Sequence, residues 1–191
     1  MIIAEGKPIQ EILALIEPYD KILIIGCKGC VTVCSAGGEK EVGILASALR
    51  LARQAQGRPL ETRELTLERQ CDTEYLEPMR GLQEEYPAIL SLACGAGIQF
   101  VAEKFRRHPV LPAVNTQFIG VTEEQGVWTE RCQTCGKCEI DPEVECGWQL
   151  IYDRLKELGQ LDKLERVLPV KDWSTNRDGG PRKRIREDLK I

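Results

Sequence analysis

Apolar positions along this chain recur with a helical period in some stretches and run together in others, and the alternation between the two outlines a fold. Residues 8–19 open on Pro8 and close at Pro18, with Ile9, Ile12, Leu13 and Ile16 at helical spacing, which predicts a short amphipathic helix. The unbroken apolar run from Ile22 to Ile25, bounded by Lys21 and Gly26, reads as a strand buried on both faces. Residues 39–54 return to the helical period, with Val42, Leu45, Leu49 and Ala52 on one face. Glu39 and Glu41 in the first turn and Arg50 and Arg53 near the end complement the helix dipole. After the break at Gly57-Arg-Pro59, residues 61–67 alternate loosely as a second strand, and residues 73–85 form a helix turning Leu76, Met79, Leu82 and Tyr86 inward. Residues 88–93 are a third strand, 98–107 a helix, and 109–114 a fourth strand ending at Asn115-Thr116. This order predicts an α/β domain over residues 1–120 with a Rossmann-like, open parallel sheet of about four strands.

The pattern then changes. Residues 121–147 are loop-like and cysteine-rich, a metal-binding segment by content. A helix resumes from Gly147 to Leu161 on the stripe Leu150, Ile151, Leu155 and Leu158. The chain ends in a polar, turn-rich tail with a basic cluster from Arg182 to Arg186, so residues 148–191 are read as a C-terminal helix with an extended tail suited to docking on a partner.

Composition narrows the function. With 191 residues, 42% hydrophobic and 29% charged, the chain has the balance of a soluble globular protein. A net charge of −4 argues against a nucleic-acid partner. No apolar run approaches the roughly 20 residues that cross a bilayer, and the first residues lack a basic-then-apolar leader, so a cytoplasmic, membrane-free setting is expected. Nine cysteines stand against one histidine. That odd count without a leader does not suit a disulfide framework, and the spacings are those of metal-bound thiolates. Any such site is nearly all sulfur, which leaves zinc in a four-cysteine cage or an iron–sulfur cluster.

Two cysteine groups emerge. In the first, Cys27 ends the first strand, Cys30 and Cys34 lie in the loop after it, Cys71 follows the second strand and Cys94 ends the third. The carboxyl ends of parallel strands share one edge of the sheet, so these thiols are expected to converge there. A [4Fe–4S] cube takes four thiolates. All five cysteines are candidate metal ligands, Cys30, Cys34, Cys71 and Cys94 favoured and Cys27 ranked last; one of the five is surplus or tunes the cluster without binding it. Gly29, Gly37, Gly38, Gly95 and Gly97 allow close backbone approach, and their N–H groups are candidates to bind the anionic sulfurs. The second group is Cys132-Gln-Thr-Cys135-Gly-Lys-Cys138 with Cys146 beyond it. Its C-x2-C-x2-C start suits a second iron–sulfur cluster, and zinc is the alternative. His108 reads as a surface residue, Trp128, Trp148 and Trp173 as packing anchors, and no catalytic grouping for organic chemistry is present.

Taken together the cysteine strings and their surroundings resemble the MetV-type small subunit of methylenetetrahydrofolate reductase, the methylenetetrahydrofolate reductase C-terminal-type domain protein of acetogens. The resemblance is carried by Cys27-Lys-Gly-Cys30-Val-Thr-Val-Cys34-Ser-Ala-Gly-Gly-Glu-Lys-Glu-Val-Gly, by Glu68-Arg-Gln-Cys71 and by Ser91-Leu-Ala-Cys94-Gly. It continues in Asn115-Thr-Gln-Phe-Ile-Gly, Glu124-Gln-Gly-Val-Trp128, Cys146-Gly-Trp-Gln-Leu-Ile-Tyr-Asp-Arg-Leu, Lys171-Asp-Trp-Ser and Arg177-Asp-Gly-Gly-Pro. One departure stands out. Members of the family carry a longer cysteine-rich stretch, including Gly-Pro-Cys-Gly-Gly, where residues 135–140 here join its start directly to its end. The ligand set of the second group stays open for that reason.

The resemblance implies a non-catalytic subunit of a heteromeric oxidoreductase. A separate flavin-bearing (FMN) barrel subunit would reduce methylenetetrahydrofolate in the reductive acetyl-CoA (Wood–Ljungdahl) route. This chain would relay electrons to that flavin from an external donor protein through one or two [4Fe–4S] clusters. The alternative is a zinc-stapled assembly subunit of the same complex without a redox role.

Overall fold

The computed structural model describes residues 1–132 and 154–160. The chain divides into two compact units, Met1–Thr129 and Glu130–Ile191. Strands β1 (Ile2–Gly6), β2 (Lys21–Cys27), β3 (Glu61–Leu67), β4 (Ile89–Leu92), β5 (Val110–Pro112), β6 (Val114–Glu124) and β7 (Val127–Cys132) accompany helices α1 (Ile9–Leu15), α2 (Cys30–Val33), α3 (Glu39–Ala55) and α4 (Gly95–Lys104). In the second unit the described residues 154–160 include a helical turn, on which Arg154 bonds Glu157.

The expected parallel sheet is present, in the order β3-β2-β4-β5. β2 pairs in parallel with β3 on one side and β4 on the other, and β5 extends the sheet beyond β4. Strand β2 is buried along almost its whole length because its apolar run serves both faces. Ile22 and Ile24 enter a core shared with residues of α1, α3 and β1, while Leu23 and Ile25 enter a second core with Leu76, Met79, Tyr86 and Val101. Each of these side chains gains about 1.5–3 kcal/mol from leaving water. The consequence for function is topological. After β3 the chain crosses back over β2 to make β4, so the strand order reverses between β2 and β4, and in open α/β sheets ligands gather at the carboxyl ends beside such a reversal.

Helix α3 starts where expected: the Gly38 N–H donates to the Glu41 carboxylate at 2.9 Å, and Glu39 adds a second acid to the first turn. Its buried face is Val42, Ala46, Leu49 and Arg53. Arg53, near the helix end as expected, is only 2% exposed. The expected helix over residues 73–85 is two short 3-10 segments, Glu74–Met79 and Leu82–Glu85. Pro78 removes a backbone donor within the first, and Gly81, at φ +85°, separates them.

Two elements differ from the sequence reading. β1 forms an edge of a second sheet, ordered β1-β6-β7 and paired antiparallel with β6. Residues 121–132, read as loop, belong mostly to β6 and β7, which meet at a turn with Gly126 at φ +86°. The reading of helix over 147–161 falls within the described residues only at 154–160, and Cys135, Cys138 and Cys146 lie outside them.

Candidate metal centre

The loop after β2 is built to bring its backbone back over the strand end. The Cys27 N–H donates to the Gly37 carbonyl at 2.9 Å, the Lys28 N–H to the Leu67 carbonyl at 2.8 Å, and the Thr32 hydroxyl to the Cys27 carbonyl at 2.7 Å. Between these anchors α2 makes a single turn, and Ser35, at φ +52°, reverses the chain toward Gly37 and Gly38. The Lys28–Glu68 ion pair, at 2.9 Å, ties this loop to the one after β3.

Cys27 is the centre of the thiol group. It is buried, and its sulfur receives the backbone N–H groups of Gly29 and Gln70. Burial pushes its thiol above the ordinary cysteine range; the two N–H groups pull the other way, and the neighbouring thiols of Cys71 and Cys94 push it further up. Cys71 and Cys94 therefore both stand within electrostatic reach of Cys27, near the carboxyl ends of β3, β4 and β2. Cys94 is half-buried and caps α4, whereas Cys71 is exposed. Cys30 opens α2, three residues beyond Cys27, and is half-buried.

Cys34 is placed differently. It is buried at the carboxyl end of α2, and its thiol donates to the Ile2 carbonyl of β1 at 3.7 Å. α2 turns Cys34 toward β1, while Cys27 ends β2 within electrostatic reach of Cys71 and Cys94. Cys132 ends β7 and is exposed.

The glycines divide as well. The Gly29 N–H reaches the Cys27 sulfur. The Gly38 N–H is held by Glu41, and the Gly95 N–H donates to the Thr116 hydroxyl at 2.8 Å, so both are committed within the chain. Gly37 and Gly97 serve close packing: a Cβ at Gly37 would stand 2.1 Å from the Leu92 carbonyl oxygen, and one at Gly97 would stand 2.8 Å from the Ala93 Cβ and 3.1 Å from the Gln70 Cβ.

The most informative residue was not singled out from the sequence. Gln70 is fully buried. Its Nε2 donates to the Ile25 carbonyl of β2 at 3.1 Å, and its Oε1 accepts the Ser91 hydroxyl of β4 at 2.7 Å. Ile25 and Ser91 are register partners across β2 and β4, so the carboxamide bridges those two strands. The available signal was Ser91 itself, a hydroxyl in an otherwise apolar buried strand, which requires a partner.

An all-thiol donor set is open to zinc in a four-cysteine cage and to an iron–sulfur cluster alike. Thiolates at about 2.3 Å from one tetrahedral zinc sit about 3.8 Å apart, whereas a four-iron cube takes one thiolate per iron and spreads them wider. Among the described residues, no three His, Cys, Asp or Glu side chains gather into a group that would hold a single ion.

Residues 111–140 and 136–174 match the family described as Methylene-tetrahydrofolate reductase C terminal. This bears out, over that stretch, the resemblance to the MetV-type small subunit; the two matched ranges overlap at residues 136–140. The matched stretch begins in β5 and does not include the thiols of β2, β3 and β4. No curated protein matches the chain. No helix among the described residues is long and apolar enough to cross a membrane.

Proposed function

We propose that this chain, whose residues 111–174 carry the methylenetetrahydrofolate reductase C-terminal family's signature, is the iron–sulfur electron-transfer subunit of a heteromeric methylenetetrahydrofolate reductase. The observation that carries the proposal is that Cys71 and Cys94 both lie within electrostatic reach of buried Cys27, at the sheet edge where the strand order reverses. Cys30, on the loop that also holds Cys27, is the proposed fourth ligand. When bound, an iron–sulfur cluster supplies one-electron transfer at a potential set by burial and N–H···S bonds.

The chain's own part is to hold and shield. Strand β2 fixes Cys27 in a buried position, the capping geometry of α4 fixes Cys94, and the N–H groups of Gly29 and Gln70 stabilise negative charge on sulfur. Exposed Cys71 marks the side from which a redox partner would approach. The proposed partners are a flavin-bearing catalytic subunit, which holds FMN and carries out the hydride chemistry, and an external electron-donor protein, in the reductive acetyl-CoA route. Cys132, Cys135, Cys138 and Cys146 are proposed as a second metal site, for iron–sulfur or zinc.

The test is anaerobic purification of the chain with its flavin subunit, followed by iron, sulfide and zinc analysis and a visible spectrum. Iron with matching sulfide and a broad thiolate-to-iron absorption is the expected result. A colourless complex holding zinc alone would overturn the electron-transfer reading and leave the assembly role.

A further inference from the structure

We propose that Gln70 is the positioning residue of the thiol site, a proposal that rests on reading Cys27, Cys71 and Cys94 as one ligand set. Gln70 touches none of the reacting species; it acts through its neighbours in the chain. Its carboxamide holds the Ile25 carbonyl, two residues before Cys27, its backbone N–H favours the charged form of the Cys27 thiol, and the next residue is Cys71. Whatever fixes Gln70 therefore fixes both a donor to one ligand and the location of another.

The fixing is done by the carboxamide. Residues 68–73 follow β3 with no regular secondary structure of their own, and Cys71 is exposed. Without an anchor, such a segment opens at little free-energy cost. The buried carboxamide spans β2 and β4, donating to Ile25 and accepting from Ser91. Because the Ile25 carbonyl can only accept, the amide orientation is determined, and both of its bonds are directional. β2 and β4 are also the strands that deliver Cys27 and Cys94. One side chain thus holds the third strand's cysteine in register with the other two. Gly97 completes the arrangement: the first turn of α4 lies so close to Gln70 that a Cβ there would stand 3.1 Å from the Gln70 Cβ. Neither bond of the carboxamide is needed to form the sheet, which has its own ladder between β2 and β4.

The test compares Ser91→Ala and Gln70→Leu with the unaltered chain, each as the full complex and as the metal-free chain. In the metal-free chain, the rate at which iodoacetamide modifies Cys27 is read by peptide mass spectrometry. Each variant should raise it about fivefold or more, the worth of one buried hydrogen bond, with circular dichroism unchanged. In the complex, loss of the Gln70 N–H from the Cys27 sulfur should move the reduction potential to a more negative value. An unchanged Cys27 rate together with an unchanged potential in folded Ser91→Ala would overturn the proposal. Should Gln70→Leu fail to fold, Ser91→Ala, which removes only the hydroxyl, decides alone. Failure of the cluster reading is separate: the unaltered complex would then lack iron, whereas the metal-free modification rates would still report on Gln70.

Discussion

Gly37 lies directly against the carbonyl oxygen of Leu92, so close that a Cβ at Gly37 would stand 2.1 Å from that oxygen. The same glycine accepts the Cys27 N–H through its own carbonyl. It therefore joins the loop after β2 to the end of β4, the two places from which Cys27 and Cys94 emerge. Gly37→Ala must push backbone from backbone, since the nearest atom is the Leu92 carbonyl oxygen, and it also meets the Val31 methyl at 2.8 Å. We expect a loss of about 1–3 kcal/mol in urea denaturation and lowered iron retention in the complex. Equal stability and iron content in the variant would count against the close approach described here.

A second restraint sits at the far end of the same helix. Arg53 donates to the Ile16 carbonyl at 3.2 Å, to the Arg58 carbonyl at 3.2 Å and to Asp20 at 2.9 Å. Its guanidinium closes the ends of α1 and α3 against each other while Asp20 remains mostly exposed. Arg53→Ala leaves two carbonyls without this donor and opens space in a packed region, at a cost of about 2–4 kcal/mol. Asp20→Ala removes only a partly solvated ion pair, worth about 1 kcal/mol or less. Thermal denaturation of the two variants should separate them clearly, and equal losses would show that the ion pair rather than the carbonyl bonds carries the effect.

These restraints also mark the limit of what the sequence alone could reveal. The apolar run Ile22–Ile25 and the strand–helix alternation made the parallel sheet legible, because a strand buried on both faces leaves an unbroken apolar signal. The hairpin of β6 and β7 was missed because its long polar strands, Thr-Gln-Phe-Ile-Gly-Val-Thr-Glu-Glu, bury few positions, so the period is faint. The placing of Cys27, Cys71 and Cys94 at or just past the carboxyl ends of β2, β3 and β4 followed from strand direction alone. Which thiol of the first loop turns inward did not, since that depends on the single turn of α2 and the reversal at Ser35. Arg53 and Gln70 were hidden for one shared reason. Their partners are mostly backbone carbonyls, and carbonyls have no signature in a sequence.

The raised Cys27 thiol gives a pH signature for the metal-free chain. Burial, opposed by the N–H groups of Gly29 and Gln70, holds the folded value above that of the unfolded chain, near about 8.5. Below the unfolded value both states keep the proton, and this group leaves stability unchanged with pH. As pH rises past it, the unfolded chain releases the proton first, so stability falls until the folded value is passed. Denaturation midpoints measured from pH 7 upward should decline more steeply in the metal-free chain than in its Cys27→Ala variant. Parallel slopes would mean that Cys27 ionises as freely as an exposed thiol.

The ligand assignment itself makes the sharpest prediction. Cys34 and Cys71 stand equally well in the sequence motif, but only Cys71 stands beside Cys27, while the Cys34 thiol is spent on the Ile2 carbonyl. Cys71→Ser should strip the first site of its iron and leave the fold intact, because Cys71 is exposed and packs little. Cys34→Ala should do the reverse: it keeps the iron and loses about 1 kcal/mol of stability through a lost thiol contact in the core. Iron content and denaturation midpoint, measured together on both variants, give a two-way separation that neither gives alone. Retained iron in Cys71→Ser with lost iron in Cys34→Ala would restore Cys34 as a ligand, and would require α2 to rotate when the metal binds.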